Sequence, residues 1–196
     1  MKFYGVVKWF VSRLFPFVCK FETSGFDELI KGNKGYIICC NHVSLLDPIA
    51  VLVKVKDVVH FLGKSELFKS AFSTYIFKKM QVIPVTRGRS NPAAIQTAIS
   101  VVNSGGVLGV FPEGTRSRTG ELGMPRSGAA FIAFVTKADI LPIGVTYERR
   151  KFRRPRIILR CGQMIKYEDL MMQDESRVEL KRVSKLIMAK IEELIK

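Results

Sequence analysis

Residues 36–48 read Tyr36-Ile37-Ile38-Cys39-Cys40-Asn41-His42-Val43-Ser44-Leu45-Leu46-Asp47-Pro48. Five apolar residues lead into a polar turn, which a proline closes. The apolar run predicts a buried strand over 36–40. Asp47 before Pro48 reads as an N-cap followed by a proline in the first helical position, so a helix is expected over 48–55. The same alternation continues along the chain. Strands are expected at 58–62, 81–85, 107–111, 140–146 and 156–161, with 18–22 as a further edge strand. Helices are expected at 66–79, 91–103, 125–138 and 176–195. Asn91-Pro92 repeats the cap-and-proline signal, and Val178, Val183, Leu186, Ile187, Ile191 and Leu194 give the last helix a packing face. Strands separated by helical segments predict a single-domain α/β sandwich with a largely parallel central sheet flanked by helices.

In such sheets ligands gather at the carboxyl ends of the strands. Asn41-His42, Gly63-Lys64, Thr86-Arg87 and Pro112-Glu113-Gly114 each follow a predicted strand. Four polar clusters therefore meet on one rim. His42 has two readings, a satisfied structural histidine or a base. Asp47 has two as well: a helix cap (with Ser44 in a capping box), or a carboxylate that a tight turn brings back to the imidazole. In the second case Asp47 fixes the tautomer and stabilises the imidazolium formed as His42 takes a proton. No G-x-S-x-G occurs, so His42 would act on a substrate hydroxyl rather than on a serine of the chain.

The other clusters are cationic. Gly63-Lys64-Ser65 imitates a phosphate loop, but that loop needs a glycine where Val58 stands. Lys64 remains a phosphate partner in its own right. Arg87 and Arg89 flank Gly88. Arg116 suits bidentate phosphate recognition, while Glu113 either meets a substrate hydroxyl or pairs with an arginine. The Arg149–Arg156 run would touch lipid head groups, form a solvated hairpin tip or bind nucleic acid. The aromatic residues lie elsewhere, which argues against nucleic acid.

The chain has 196 residues and a net charge of +15, enough for one domain with a substantial core and a surface drawn to polyanions. Its four cysteines, at 19, 39, 40 and 161, have no C-x-x-C spacing and no histidine pair. Buried reduced thiols in a cytosolic compartment are expected, and no metal. Residues 1–20, MKFYGVVKWFVSRLFPFVCK, interleave aromatic and aliphatic residues with Lys2, Lys8, Arg13 and Lys20. Spanning a bilayer takes roughly 20 mostly apolar residues, and the cations interrupt every run here. The segment reads as a helix lying in the membrane interface, with an ordinary core-packing helix as the other reading, and Pro16 would kink or end it. No cleaved signal peptide is expected. The boundaries are 1–30 for the interfacial segment and 31–196 for the catalytic domain.

Asn41-His42-x4-Asp47, Gly63-Lys64-x-Glu66-Leu67-Phe68, Ile83-Pro84-Val85-x-Arg87, Phe111-Pro112-Glu113-Gly114-Thr115-Arg116-Ser117 and Leu141-Pro142-Ile143 occur in that order. This succession resembles the phospholipid and glycerol acyltransferases, notably the 1-acylglycerol-3-phosphate acyltransferases, over roughly residues 36–146. The resemblance implies a mixed sheet and an N-terminal helical segment docked on the cytoplasmic face of an anionic membrane. It implies His42 as base with Asp47 behind it, and Lys64, Arg87, Glu113, Gly114, Thr115 and Arg116 around the glycerol phosphate. The implied reaction carries an acyl chain from acyl-CoA or acyl carrier protein to the sn-2 hydroxyl of lysophosphatidic acid, without cofactor, metal or nucleic acid. Glycerol 3-phosphate or another lysophospholipid is the alternative acceptor, and a non-catalytic basic membrane- or nucleic-acid-binding module the alternative class. One departure is Arg126, where many members carry lysine. An acyl chain would pass Leu67, Phe68, Phe72 and Phe77.

Overall fold

The computed structural model describes residues 2–26, 34–86, 91–117, 119–148 and 154–196. Among these residues the strands form one seven-stranded sheet in the order β1-β7-β6-β2-β5-β3-β4. They are β1 Lys20–Ser24, β2 Tyr36–Cys40, β3 Val59–Lys64, β4 Ile83–Val85, β5 Val107–Val110, β6 Asp139–Glu148 and β7 Arg156–Cys161. The five strands β6, β2, β5, β3 and β4 are parallel to one another. β7 runs antiparallel to β6, and β1 follows β7. The sheet is thus mixed and mostly parallel, as expected, with the carboxyl ends of β6, β2, β5, β3 and β4 on one rim.

Tyr36–Cys40 is buried along its whole length because both sheet faces are covered. One face packs Ile37, Cys39, Leu108 and Ile140 against α4 (Pro92–Asn103), α5 (Gly128–Thr136) and α6 (Arg177–Ile195). The other packs Ile38, Cys40, Val59, Phe61 and Leu159 against Ala50 and Val51 of α2 (Asp47–Lys54) and Phe15 of α1 (Lys2–Val18). Asn91 caps α4 by accepting from the Ala94 amide at 3.3 Å, and Ser176 caps α6 in the same way through Glu179. The buried stripe of α6 is Val183, Ile187, Met188 and Ile191. All four cysteines are free and buried. Burial pushes the Cys39 and Cys161 thiols up to about 12.

Three elements differ from the sequence reading. The helix expected over 66–79 is a 3-10 turn, Ser65–Phe68, followed by α3, Ala71–Lys79. Ser70 separates them, because its hydroxyl accepts from the Ser73 amide and the Ser73 hydroxyl answers the Ser70 amide in a capping box. The helix expected over 125–138 begins only at Gly128, since the Arg126 amide is committed to the Pro112 carbonyl at 2.8 Å. Asp47 is not the N-cap of α2. Leu46 holds that position, and the Asp47 side chain turns back into the preceding loop.

At the N-terminus α1 carries Pro16 inside its last turn and ends at Val18. It lies against α2: Lys8 donates to the carbonyls of Val55 and Lys56, and the Tyr4 hydroxyl accepts from the Val59 amide. Arg154, just before β7, donates to the Pro16 and Phe17 carbonyls that the helix end leaves unpaired. The outward face leaves Trp9, Phe10, Phe17 and Val18 more than half exposed. No described helix is long and apolar enough to cross a membrane.

Candidate active site

β2 is the middle strand of the seven-stranded sheet, and its last residue, Cys40, lies opposite Ile143 of β6. Asn41 extends this pairing with its side chain. Its amide donates to the Val145 carbonyl at 2.9 Å and accepts from the Val145 amide at 2.7 Å. The chain therefore leaves the sheet at a fixed point, and His42 is the first residue to turn over the rim.

His42 Nδ1 lies 2.8 Å from Asp47 Oδ2. The same oxygen accepts from the Val43 amide at 2.7 Å and the Ser44 amide at 2.8 Å. Asp47 Oδ1 accepts from the Tyr147 hydroxyl at 2.7 Å. A fully buried carboxylate is costly unless its lone pairs are filled, and here four donors fill them. Burial, reinforced by the Asp47 charge, pushes the Tyr147 phenol far up, so it remains a donor. With Nδ1 facing the carboxylate, the ring carries its proton there and keeps its lone pair on Nε2. Nε2 makes no hydrogen bond among the described residues. The side chain is 12% exposed.

The ring plane is fixed as well. His42 stacks on Phe111 with centroids 4.2 Å apart, and Phe111 stacks on Phe61 at 5.8 Å. Gly109 makes room for this column, since a Cβ there would come within 2.5 Å of the Phe61 ring. The backbone of His42 is held at both ends by the loop after β5. Its amide donates to Glu113 Oε1 at 2.9 Å, and its carbonyl accepts from the Ser117 amide at 2.7 Å. Glu113 Oε2 accepts from the Gly123 amide at 2.8 Å. Gly114 sits at φ +69°, and a Cβ there would lie 2.7 Å from Arg126 Nε, so the glycine permits both the turn and the passage of the guanidinium.

A ring oriented from behind, with its other nitrogen unbonded among the described residues, has the arrangement that general-base chemistry on a hydroxyl requires. The sequence profile of the Acyltransferase family matches residues 21–146, which contain every residue of this arrangement but Tyr147. The chain belongs to the Acyltransferase family. A 1-acyl-sn-glycerol-3-phosphate acyltransferase of Bacillus subtilis is 30% identical over 146 residues, covering 72% of each chain. One from Borreliella burgdorferi is 33% identical over 137 residues, covering 69% of this chain and 54% of that one. The fold is also that of the crystal structure of the 1-acyl-sn-glycerophosphate acyltransferase of Thermotoga maritima. The TM-score is 0.74 at 23% identity, covering 97% of this chain and 79% of the other.

Within this acyltransferase fold the residues expected to hold substrate take different positions. Arg116 and Thr115 are exposed on the loop that clasps His42, and no carboxylate meets Arg116 among the described residues. Lys64, at the end of β3, is 2.7 Å from Glu66, a half-exposed pair of small energetic weight. Hydrogen bonding to Lys64 pulls the Glu66 carboxyl down to about 2. Glu113 is 6% exposed, with each oxygen on a backbone amide, so any substrate hydroxyl must share it with those two donors. Arg87, Arg89 and residues 149–153 of the basic run lie outside the described residues. Phe72 points outward at 78% exposure and cannot wall an internal acyl path, whereas Phe68 and Phe77 do meet, at 5.6 Å.

A cavity of about 540 Å³ lies on the opposite sheet face, near His60, Lys78 and Asn91, and is lined by neither His42 nor Arg116. The connection between those two runs through the backbone bond from Ser117 to the His42 carbonyl. Among the described residues no group of three or more His, Cys, Asp and Glu side chains could hold a metal ion. Sequence reasoning missed Tyr147 and the Phe61–Phe111 column. Tyr147 stands 100 positions from Asp47, and only a register tied to Asn41 could have found it.

Proposed function

We propose that the chain transfers a fatty acyl group from a thioester to the sn-2 hydroxyl of lysophosphatidic acid, forming phosphatidic acid. The observation that carries this reading is the 2.8 Å contact between His42 Nδ1 and Asp47, which leaves Nε2 as the open base. Nε2 takes the hydroxyl proton as the oxygen attacks the thioester carbonyl. The carbon–sulfur bond then breaks, and the imidazolium returns the proton to the leaving thiolate. Asp47 stabilises the imidazolium between these events. Arg116 and Lys64, with Arg87 and the Gly114–Thr115 backbone, form the phosphate-binding part, and Glu113 holds the two loops in place. The names of the Bacillus and Borreliella relatives support lysophosphatidic acid as acceptor.

Acyl-CoA or acyl carrier protein serves as donor, each offering an acidic carrier to a surface of +15. The outward face of α1 rests in the cytoplasmic interface of an anionic membrane, with its aromatic residues at head-group depth. Purified protein and its His42→Ala variant, each supplied with both donors and with lysophosphatidic acid, glycerol 3-phosphate or lysophosphatidylcholine, test the assignment. Wild-type product is expected from lysophosphatidic acid, and the variant should lose roughly 10²–10⁴-fold in rate at unchanged thermal stability. Retained activity in a folded variant ends the mechanism. Preference for another acceptor ends the substrate assignment.

A further inference from the structure

We propose that α3 is a second bilayer contact, joined to α1 in one continuous surface that rests on an anionic phospholipid leaflet. The proposal depends on the docking of α1 given above and extends it to a helix that reading does not include. α3 is nine residues long and has no buried residue. A helix of that length owes its stability to packing, yet Phe72 is 78% and Tyr75 53% exposed, and Leu67 in the preceding turn is 39% exposed. Phe72, Tyr75 and Lys79 fall at helical spacing on one stripe, with Lys79 Nζ 5.6 Å over the Tyr75 ring. Tyr75 also meets Phe3 of α1 edge-on at 6.0 Å. Phe3 flanks the outward face of α1, so the two aromatic faces adjoin.

Adjoining exposed aromatic faces mark an interaction surface. Their rim identifies the occupant. Lys69, Lys78 and Lys79 are exposed around the α3 stripe, where ammonium groups meet acidic head groups while the rings enter the interface. A second copy of the chain would instead set two surfaces of the same positive sign against each other. α3 follows β3, whose carboxyl end shares the rim with His42. Contact through α3 therefore brings that rim toward the leaflet in which a lysolipid resides.

Trp9 is the only tryptophan, so a Phe72→Trp change in a Trp9→Phe background reports on α3 alone. With vesicles of phosphatidylglycerol and phosphatidylcholine, its emission should shift to shorter wavelength and be quenched by brominated acyl chains. Emission that stays at the water-exposed wavelength while the protein co-sediments overturns the proposal. In parallel, Phe72→Ser should weaken partitioning onto these vesicles roughly tenfold, comparably to Phe10→Ser on α1. Loss with Phe10→Ser but not Phe72→Ser removes α3 and keeps α1. No loss with either removes the docking of α1 itself. A change of oligomeric state with Phe72→Ser, at unaltered vesicle binding, assigns the face to a second copy and also overturns the proposal.

Discussion

Among the described residues, Tyr147 donates the one hydrogen bond that reaches Asp47 Oδ1, the carboxylate oxygen that does not face the imidazole. Replacing it with phenylalanine leaves that oxygen short of a donor in a buried place. The expected cost is about 1–3 kcal/mol of stability, read from urea unfolding. Turnover should fall several-fold, with little change in the Michaelis constant for the acceptor, because the hydroxyl bonds the acid behind the imidazole. An equal rise in that constant would place Tyr147 in acceptor binding instead. Arg116 makes the opposite prediction. It is exposed and has no carboxylate partner among the described residues, so Arg116→Ala should leave stability within about 0.5 kcal/mol. The Michaelis constant for lysophosphatidic acid should rise roughly tenfold or more, as fits the loss of a charge-assisted phosphate contact. An unchanged constant would withdraw Arg116 from the phosphate.

At the scale of the element, the aromatic column depends on a residue with no side chain. Gly109→Ala would put a methyl group about where the Phe61 ring lies. Phe61 must shift, then Phe111, then the imidazole resting on it. About 1–3 kcal/mol of destabilisation is expected from such overpacking, together with a loss of turnover larger than stability alone explains at a temperature where the protein is folded. Full activity would show that the column does not set the ring. The elements themselves were largely legible. Apolar runs bounded by polar turns located every strand to within about two residues, and Asn91-Pro92 located the start of α4. What escaped depends on competition between neighbours. Ser70 ends one helix by capping the next, and Arg126 gives its amide to a loop it meets only in the folded chain. Asp47 likewise looked like a cap from its neighbour Pro48, whereas its side chain serves the loop behind it. Local spacing paired His42 with Asp47, and the two side chains do meet. It could not identify Tyr147 or show that the oxygens of Glu113 are already occupied.

The whole molecule carries four buried thiols, and two of them, Cys39 and Cys161, are pushed up to about 12 from an ordinary value of 9.0. An acid whose folded value is raised favours the fold while it stays protonated in both states. The contribution is therefore complete below about pH 9 and is lost as the pH rises toward 12. The midpoint of urea unfolding should accordingly fall between pH 8 and pH 10.5, and Cys39→Ala should flatten that fall relative to the parent. A parent midpoint that holds steady over this range would count against the thiols as its source. At neutral pH, the native protein should react with a thiol reagent far more slowly than the urea-unfolded chain.

The single carboxylate of Glu113 clasps residue 42 to residue 123, and Tyr147 must arrive before Asp47 has all its donors. A nascent chain stopped short of β6 would hold the histidine and its acid without the Tyr147 donor and without the Val145 pairing that fixes Asn41. The complete donor set of that acid is thus among the last features this polypeptide can assemble during synthesis.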